Sequence, residues 1–151
     1  MDIFELIKAD HRKAESLFSK IEDTKNSKKL DEYFKQLYKE LSIHAQVEEL
    51  TFYPTMRDNE GTQELVDEAE EEHVEVKVML EQIKSLDSTS SEFTAKISEL
   101  KEAVGHHVQE EENEVFPKVR QCINEEELEQ LATEFQEVKN KLNDEMSITS
   151  R

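Results

Sequence analysis

The sequence predicts an all-α protein, an up-down-up-down four-helix bundle with an additional short C-terminal helix. Three observations lead there. Only two glycines and two prolines occur in 151 residues, so the breakers that punctuate short strands and hairpins are missing. Apolar residues make up 35% of the chain against 37% charged, yet they fall on stripes with steps of three and four, as in helices that bury one face. The chain also repeats itself at a spacing of 62 to 63 residues, as two similar helical hairpins would.

The first stripe, Phe4, Ile7, Ala14, Phe18 and Ile21, predicts a helix over about residues 2 to 23, with His11 inside its seam. Asp23 to Ser27 is polar and breaks the pattern, and a second seam runs Leu30, Phe34, Leu37, Leu41, His44, Glu48 and Thr55. Asn59-Glu60-Gly61-Thr62 reads as a turn, with Gly61 expected in a left-handed conformation and Thr62 as the cap of the next helix. A third seam carries Leu65, Ala69, Val76, Leu80 and Ile83 with His73 among them. Asp87 to Ser91 is a loop ending in a helix cap, and a fourth seam runs from Phe93 through Ile97, Leu100, Val104, His107, Glu111 and Lys118, with Val115 offset by one residue. Helices of this length joined by short loops pack antiparallel. Residues 1–122 form this bundle, and 123–151 a C-terminal helix and tail striped by Leu128, Leu131, Phe135, Val138 and Leu142. Acidic flanks such as Glu125, Glu126 and Glu127 would repel across a pair of such helices, so the stripe is expected to dock on its own bundle in a monomer, a dimer being the alternative.

A formal charge of -18 sets aside nucleic acid and anionic membrane surfaces as partners. The first residues, MDIFELIKADH, hold acidic groups throughout, unlike a secretory signal or a membrane span. Cys122 is alone, which rules out an internal disulfide or a thiolate cluster and points to a reducing, cytoplasmic setting.

The repeat carries the chemistry. His11 and His73 stand 62 residues apart, and HAQVEELTFYP from His44 aligns without a gap on HVQEEENEVFP from His107. Each segment reads His, three residues, Glu-Glu, an aromatic four residues on, then Pro. His44 and Glu48 share a helix face one turn apart, as do His107 and Glu111. Six ionisable groups in the seams of one core cost several kcal/mol each unless paired or bound to metal. Four imidazoles and two carboxylates without a thiolate suit iron, zinc or manganese and are too many for one structural zinc. They suit two metals: His11 and His44 on one, His73 and His107 on the other, Glu48 and Glu111 bridging, and an oxo or hydroxo bridge between two irons.

Asp10-His11, His44-x-x-x-Glu48 with Tyr53-Pro54, Glu72-His73, and His107-x-x-x-Glu111 with Phe116-Pro117 together resemble a hemerythrin-like (HHE cation-binding) domain over roughly residues 1 to 122. The resemblance implies a four-helix bundle around a di-iron centre. One turn after His73, where the family's blood oxygen carriers have a further His, this chain has Lys77. The four-His, two-Glu set resembles members associated with iron sensing, nitrosative-stress repair or peroxide chemistry.

Two readings follow. The first is a redox-active di-iron protein that binds or reduces O2, peroxide or NO. The second is an iron- or oxygen-responsive sensor module without turnover. Glu49, Glu110 and Glu112 read as surface charge, His106 as exposed, Tyr53 as a core aromatic with a phenol able to approach a metal, and Lys77 as snorkelling outward; the seam does not assign Glu72 to either face.

Overall fold

The computed structural model describes residues 2–149, with side chains described through Met146. Every break is closed by a short polar side chain. Helix α1 spans Ile3–Asp23, where the Asp2 carboxylate accepts from the Phe4 N–H at 2.8 Å. Asn26 accepts from the Lys28 and Lys29 N–H groups to start α2, Ser27–Val47. Ser90 caps α5 (Ser91–Glu110) by accepting from the Phe93 N–H. Between α2 and α5 lie α3, Tyr53–Arg57, and α4, Gln63–Lys84. After α5 come α6, Phe116–Cys122, and α7, Glu125–Thr149, whose start is held by Asn124 accepting from the Glu127 N–H.

The turn before α4 departs from expectation. Gly61 has no positive φ, and the Thr62 side chain caps nothing. Instead the Asn59 side chain accepts from the Gly61 N–H, and the buried Thr62 hydroxyl donates to the carbonyls of Met56 and Asn59. The turn is closed by side chains, so no left-handed residue is required.

α2 and α3 are one rod interrupted by a π-helical turn at Glu48–Phe52, and α5 and α6 are another, interrupted at Glu111–Val115. Each turn ends on a bond five residues long, from the Tyr53 N–H to the Glu48 carbonyl and from the Phe116 N–H to the Glu111 carbonyl. Pro54 and Pro117 follow at once. Proline has no N–H to give and crowds the carbonyl four residues back, so a widened turn is a natural place for it. The extra residue explains the offset of Val115: beyond Glu111 the buried positions are Val115, Phe116 and Val119, while Lys118 is exposed, correcting its place in the fourth seam. Likewise Thr55 is only half-buried, and Met56 takes the core position.

α1 packs on α2 and α4 on α5, with α1 also against α5 and α2 against α4. Buried apolar residues form two clusters, one around Phe4, Phe52, Phe116 and Phe135 and one around Phe18, Leu37, Ile83 and Leu100. α7 lies on α1, α2 and the Glu48–Phe52 turn, burying Leu128, Leu131, Ala132 and Phe135 in the first cluster. At 25 residues it is the longest helix among those described, not a short one. Among the described residues no helix is long and apolar enough to cross a membrane.

Candidate metal centre

The layer between the two apolar clusters is polar. His11 on α1, His44 on α2, His73 on α4 and His107 on α5 are buried there, with Glu48 and Glu111 at the first positions of the two π turns. Their Nε2 and carboxylate atoms converge. His11 Nε2 lies 3.1 Å from Glu111 Oε1, and His107 Nε2 lies 3.2 Å from Glu111 Oε2. Glu48 Oε1 lies 3.2 Å from His44 Nε2 and 3.3 Å from His73 Nε2. Both carboxylates therefore touch both histidine pairs.

Two groups of three donors, His11/His44/Glu111 and Glu48/His73/His107, each keep their ligand atoms within 4.8 Å of one another. His11 Nε2, His44 Nε2, His107 Nε2, Glu48 Oε2 and Glu111 Oε1 are buried without a hydrogen-bond partner. Buried polar atoms are seldom left so, because each forfeits the hydration it had in water. Five facing one another fit a pair of cations of intermediate hardness.

The opposite nitrogen of every imidazole is held by a carboxylate. His44 Nδ1 lies 2.8 Å from Asp10, His107 Nδ1 2.7 Å from Glu72, His11 Nδ1 2.7 Å from Glu112 and His73 Nδ1 3.3 Å from Glu49. An ionised carboxylate only accepts, so each Nδ1–H donates and each Nε2 is oriented inward. Glu112 is thus largely covered and not simple surface charge, Glu49 is exposed as expected but reaches His73, and Glu72 pairs with His107. The pattern crosses over: the residue beside one inward group holds the histidine of a neighbouring helix. Asp10-His11 matches Glu72-His73, and Glu48-Glu49 matches Glu111-Glu112, so the repeat contained the signal. Asp10→Asn and Glu72→Gln should each weaken metal binding roughly 10- to 100-fold, read by competition against a chelator; wild-type affinity in both would show that these carboxylates do not orient the ligands.

Without a metal the layer holds protons. Burial pushes the His44 pKa down, but Glu48 and Asp10 outweigh it and hold it up at about 10. Burial likewise opposes the imidazoliums of His107 and His73, which Glu111 and Glu48 respectively raise. Glu48 is pulled well below the usual carboxylate range because His44, His107 and His73 overcome its burial.

The Tyr53 hydroxyl, also buried, lies 3.1 Å from His73 Nε2, 3.3 Å from Glu48 Oε1 and 3.4 Å from Glu111 Oε2. It is thus more than a core aromatic. Burial, with Glu48 and Glu111 beside it, keeps the phenol protonated well above its ordinary range. On the other side of the layer a cavity of about 40 Å³ is walled by Ala14, Leu41, Val76, Val104 and Val108 and floored by the four histidines. Lys77 is exposed, and Val76, one residue earlier, faces the cavity. His106 is exposed, as its position off the seam implies. α7 reaches the layer too: Lys139 pairs with Asp10, and the Phe135 ring sits 6.3 Å from that of His44.

Fold and site define a helical-bundle protein with a histidine–carboxylate cation site. The hemerythrin HHE cation-binding domain model matches residues 2–119, and the chain belongs to that family. It is 39% identical over 145 residues to a DNA nickase of Nostoc sp. (strain PCC 7120), covering 94% of this chain but 40% of that protein. It is 30% identical over 139 residues to an uncharacterized hemerythrin-like protein of Schizosaccharomyces pombe, covering 91% of this chain and 68% of that one. A crystal structure of a hemerythrin HHE cation-binding domain-containing protein from Mycobacterium kansasii superposes with a TM-score of 0.85 at 23% identity, over 96% of this chain and 89% of the other. That likeness speaks to the fold.

Proposed function

We propose that the chain is a non-haem di-iron protein that binds or reduces a small oxidant, O2, peroxide or NO, in a reducing, cytoplasmic setting. The observation that carries this reading is the set of five buried donor atoms without partners, set against a small apolar cavity. His11 and His44 would hold one iron and His73 and His107 the other, with Glu48 and Glu111 shared and an oxo or hydroxo bridge completing the pair. Such a pair supplies electrons and Lewis acidity when bound.

The chain's own residues set what reaches it. A cavity of about 40 Å³ has room for only a few water-sized atoms, which favours diatomics and peroxide over larger substrates. Its walls are mostly aliphatic, so a bound molecule is oriented chiefly from the histidine floor, with the carboxylates of Asp10 and Glu40 on the α1–α2 side of the lining. Tyr53 approaches from the opposite side, where its hydroxyl keeps a proton between Glu48 and Glu111.

Rapid mixing of the reduced, iron-loaded protein with O2, peroxide and NO tests the reading. With a reductant in excess, consumption of many equivalents of oxidant per chain marks turnover, since the two electrons of a reduced pair account for at most one peroxide or two NO. A stable adduct marks the sensor reading instead, and absence of a spectral change with all three would sink both. Nicking is not carried over from the Nostoc relative, because the shared stretch covers 40% of that protein and a formal charge of -18 disfavours phosphate backbones. Metal-dependent nicking of supercoiled plasmid by this chain would reverse that judgement.

A further inference from the structure

The two halves of the polar layer are related by the repeat but differ in how they meet the surface. Around His44, Asp10 is only 3% exposed and is closed off by Lys139 of α7, a fixed positive charge. Around His107, among the described residues Glu72 is backed by no lysine or arginine and is only partly covered, its side chain 16% exposed. One Glu72 oxygen holds His107 Nδ1 at 2.7 Å. The other lies 3.6 Å from His106 Nε2, which is 2.9 Å from Glu110 Oε1. Glu72, His106 and Glu110 thus present three ligand atoms within 4.8 Å of one another, a third group of metal-binding type outside the buried centre.

A crevice opens beside Glu72 and Glu110 of this group and reaches His107 and Glu111. Glu68, Glu72, Glu110 and Glu114 line it, together with Glu111 and the buried His107, whose Nε2 has no hydrogen-bond partner. Its volume of about 10 Å³ admits one water-sized particle. Four carboxylates around so narrow a passage concentrate cations and reject anions. We propose that Glu72, His106 and Glu110 form a transient divalent-cation site that loads the His73–His107 half of the centre through this crevice. The inference rests on the metal-centre reading above. Glu72 is the hinge of the path, since it faces the outer group with one oxygen and a histidine of the centre with the other. Transfer is an exchange of ligands, with no change in the oxidation state of the ion.

Anaerobic mixing of metal-free protein with a small excess over two equivalents of Co(II), whose visible absorption follows its coordination, tests the inference. The double variant His106→Ala with Glu110→Gln should load at least tenfold more slowly than wild type and still reach two metals per chain. Glu126→Gln, which removes one equal charge from the exposed first turn of α7, should load at the wild-type rate. Wild-type loading in the double variant would overturn the proposal, as would equal slowing in Glu126→Gln, which would make the effect one of overall charge. A lower final metal content would place these residues in the centre itself and also overturn it. If wild type takes up no cobalt, the metal-centre reading fails first, and the two failures are told apart.

Discussion

Stripping both metals should lower the unfolding free energy by about 8 kcal/mol, about 4 per site, relative to protein held in free metal roughly 1,000-fold above each dissociation constant. The gap should widen with pH. His44 has a folded pKa of about 10 against an ordinary 6.5, so its proton contributes stability to the metal-free form below pH 6.5, and that contribution is lost as pH rises through about 10. Glu48 is held below its ordinary 4.5; its contribution is present above that pH and lost as pH falls through the lowered value. The metal-free protein should therefore be most stable between pH 4.5 and 6.5 and weakest in alkali, where bound metal replaces the missing protons. Denaturant melts of chelated and loaded protein across this range check the sign. Equal stability of the two forms at alkaline pH would show that the six groups do not share a buried metal layer.

Phe135→Ala should cost about 3–5 kcal/mol, the usual loss for a fully buried phenylalanine. Phe135 is fully buried and packs in the cluster that contains Phe4, Tyr53 and Leu131. Its ring also lies against His44, so the variant should release metal faster as well as melt earlier. Half-buried Val138, three residues on, offers a contrast expected to cost less when changed to Ala. A loss below about 1 kcal/mol for Phe135→Ala would mean that α7 does not dock on the bundle in solution. Removing the chain after Asn124 takes away Leu128, Leu131 and Ala132 too, and frees Asp10 from Lys139; it should be costlier still.

The seams were legible because a helix writes its buried face into the sequence at every third or fourth residue. The inward placement of His11, His44, His73, His107, Glu48 and Glu111 follows from those seams alone. The π turns were not legible in the same way, since inserting one residue shifts the register without breaking the pattern. Their traces were the offset of Val115 and a proline in each repeat, Pro54 and Pro117, and only the structure joins them. The covered position of Glu112, and the contact that exposed Glu49 makes with His73, were hidden for a related reason. A residue next to an inward ligand sits about 100° off the seam, which in one helix looks like surface, but in a bundle that direction meets the histidine of the next helix. The length of α7 was hidden because its stripe fades: Val138, Leu142 and Met146 are only half-buried against the core.

Anaerobic titration of metal-free protein with Fe(II), followed by iron content per chain after removal of the excess, tests the central claim most directly. Two buried triads of donors, with Glu48 and Glu111 each touching both histidine pairs, call for an end-point of two irons per chain, lost together when either carboxylate is changed to Gln. An end-point of one iron per chain, or two irons that survive both substitutions, would contradict a shared di-iron centre.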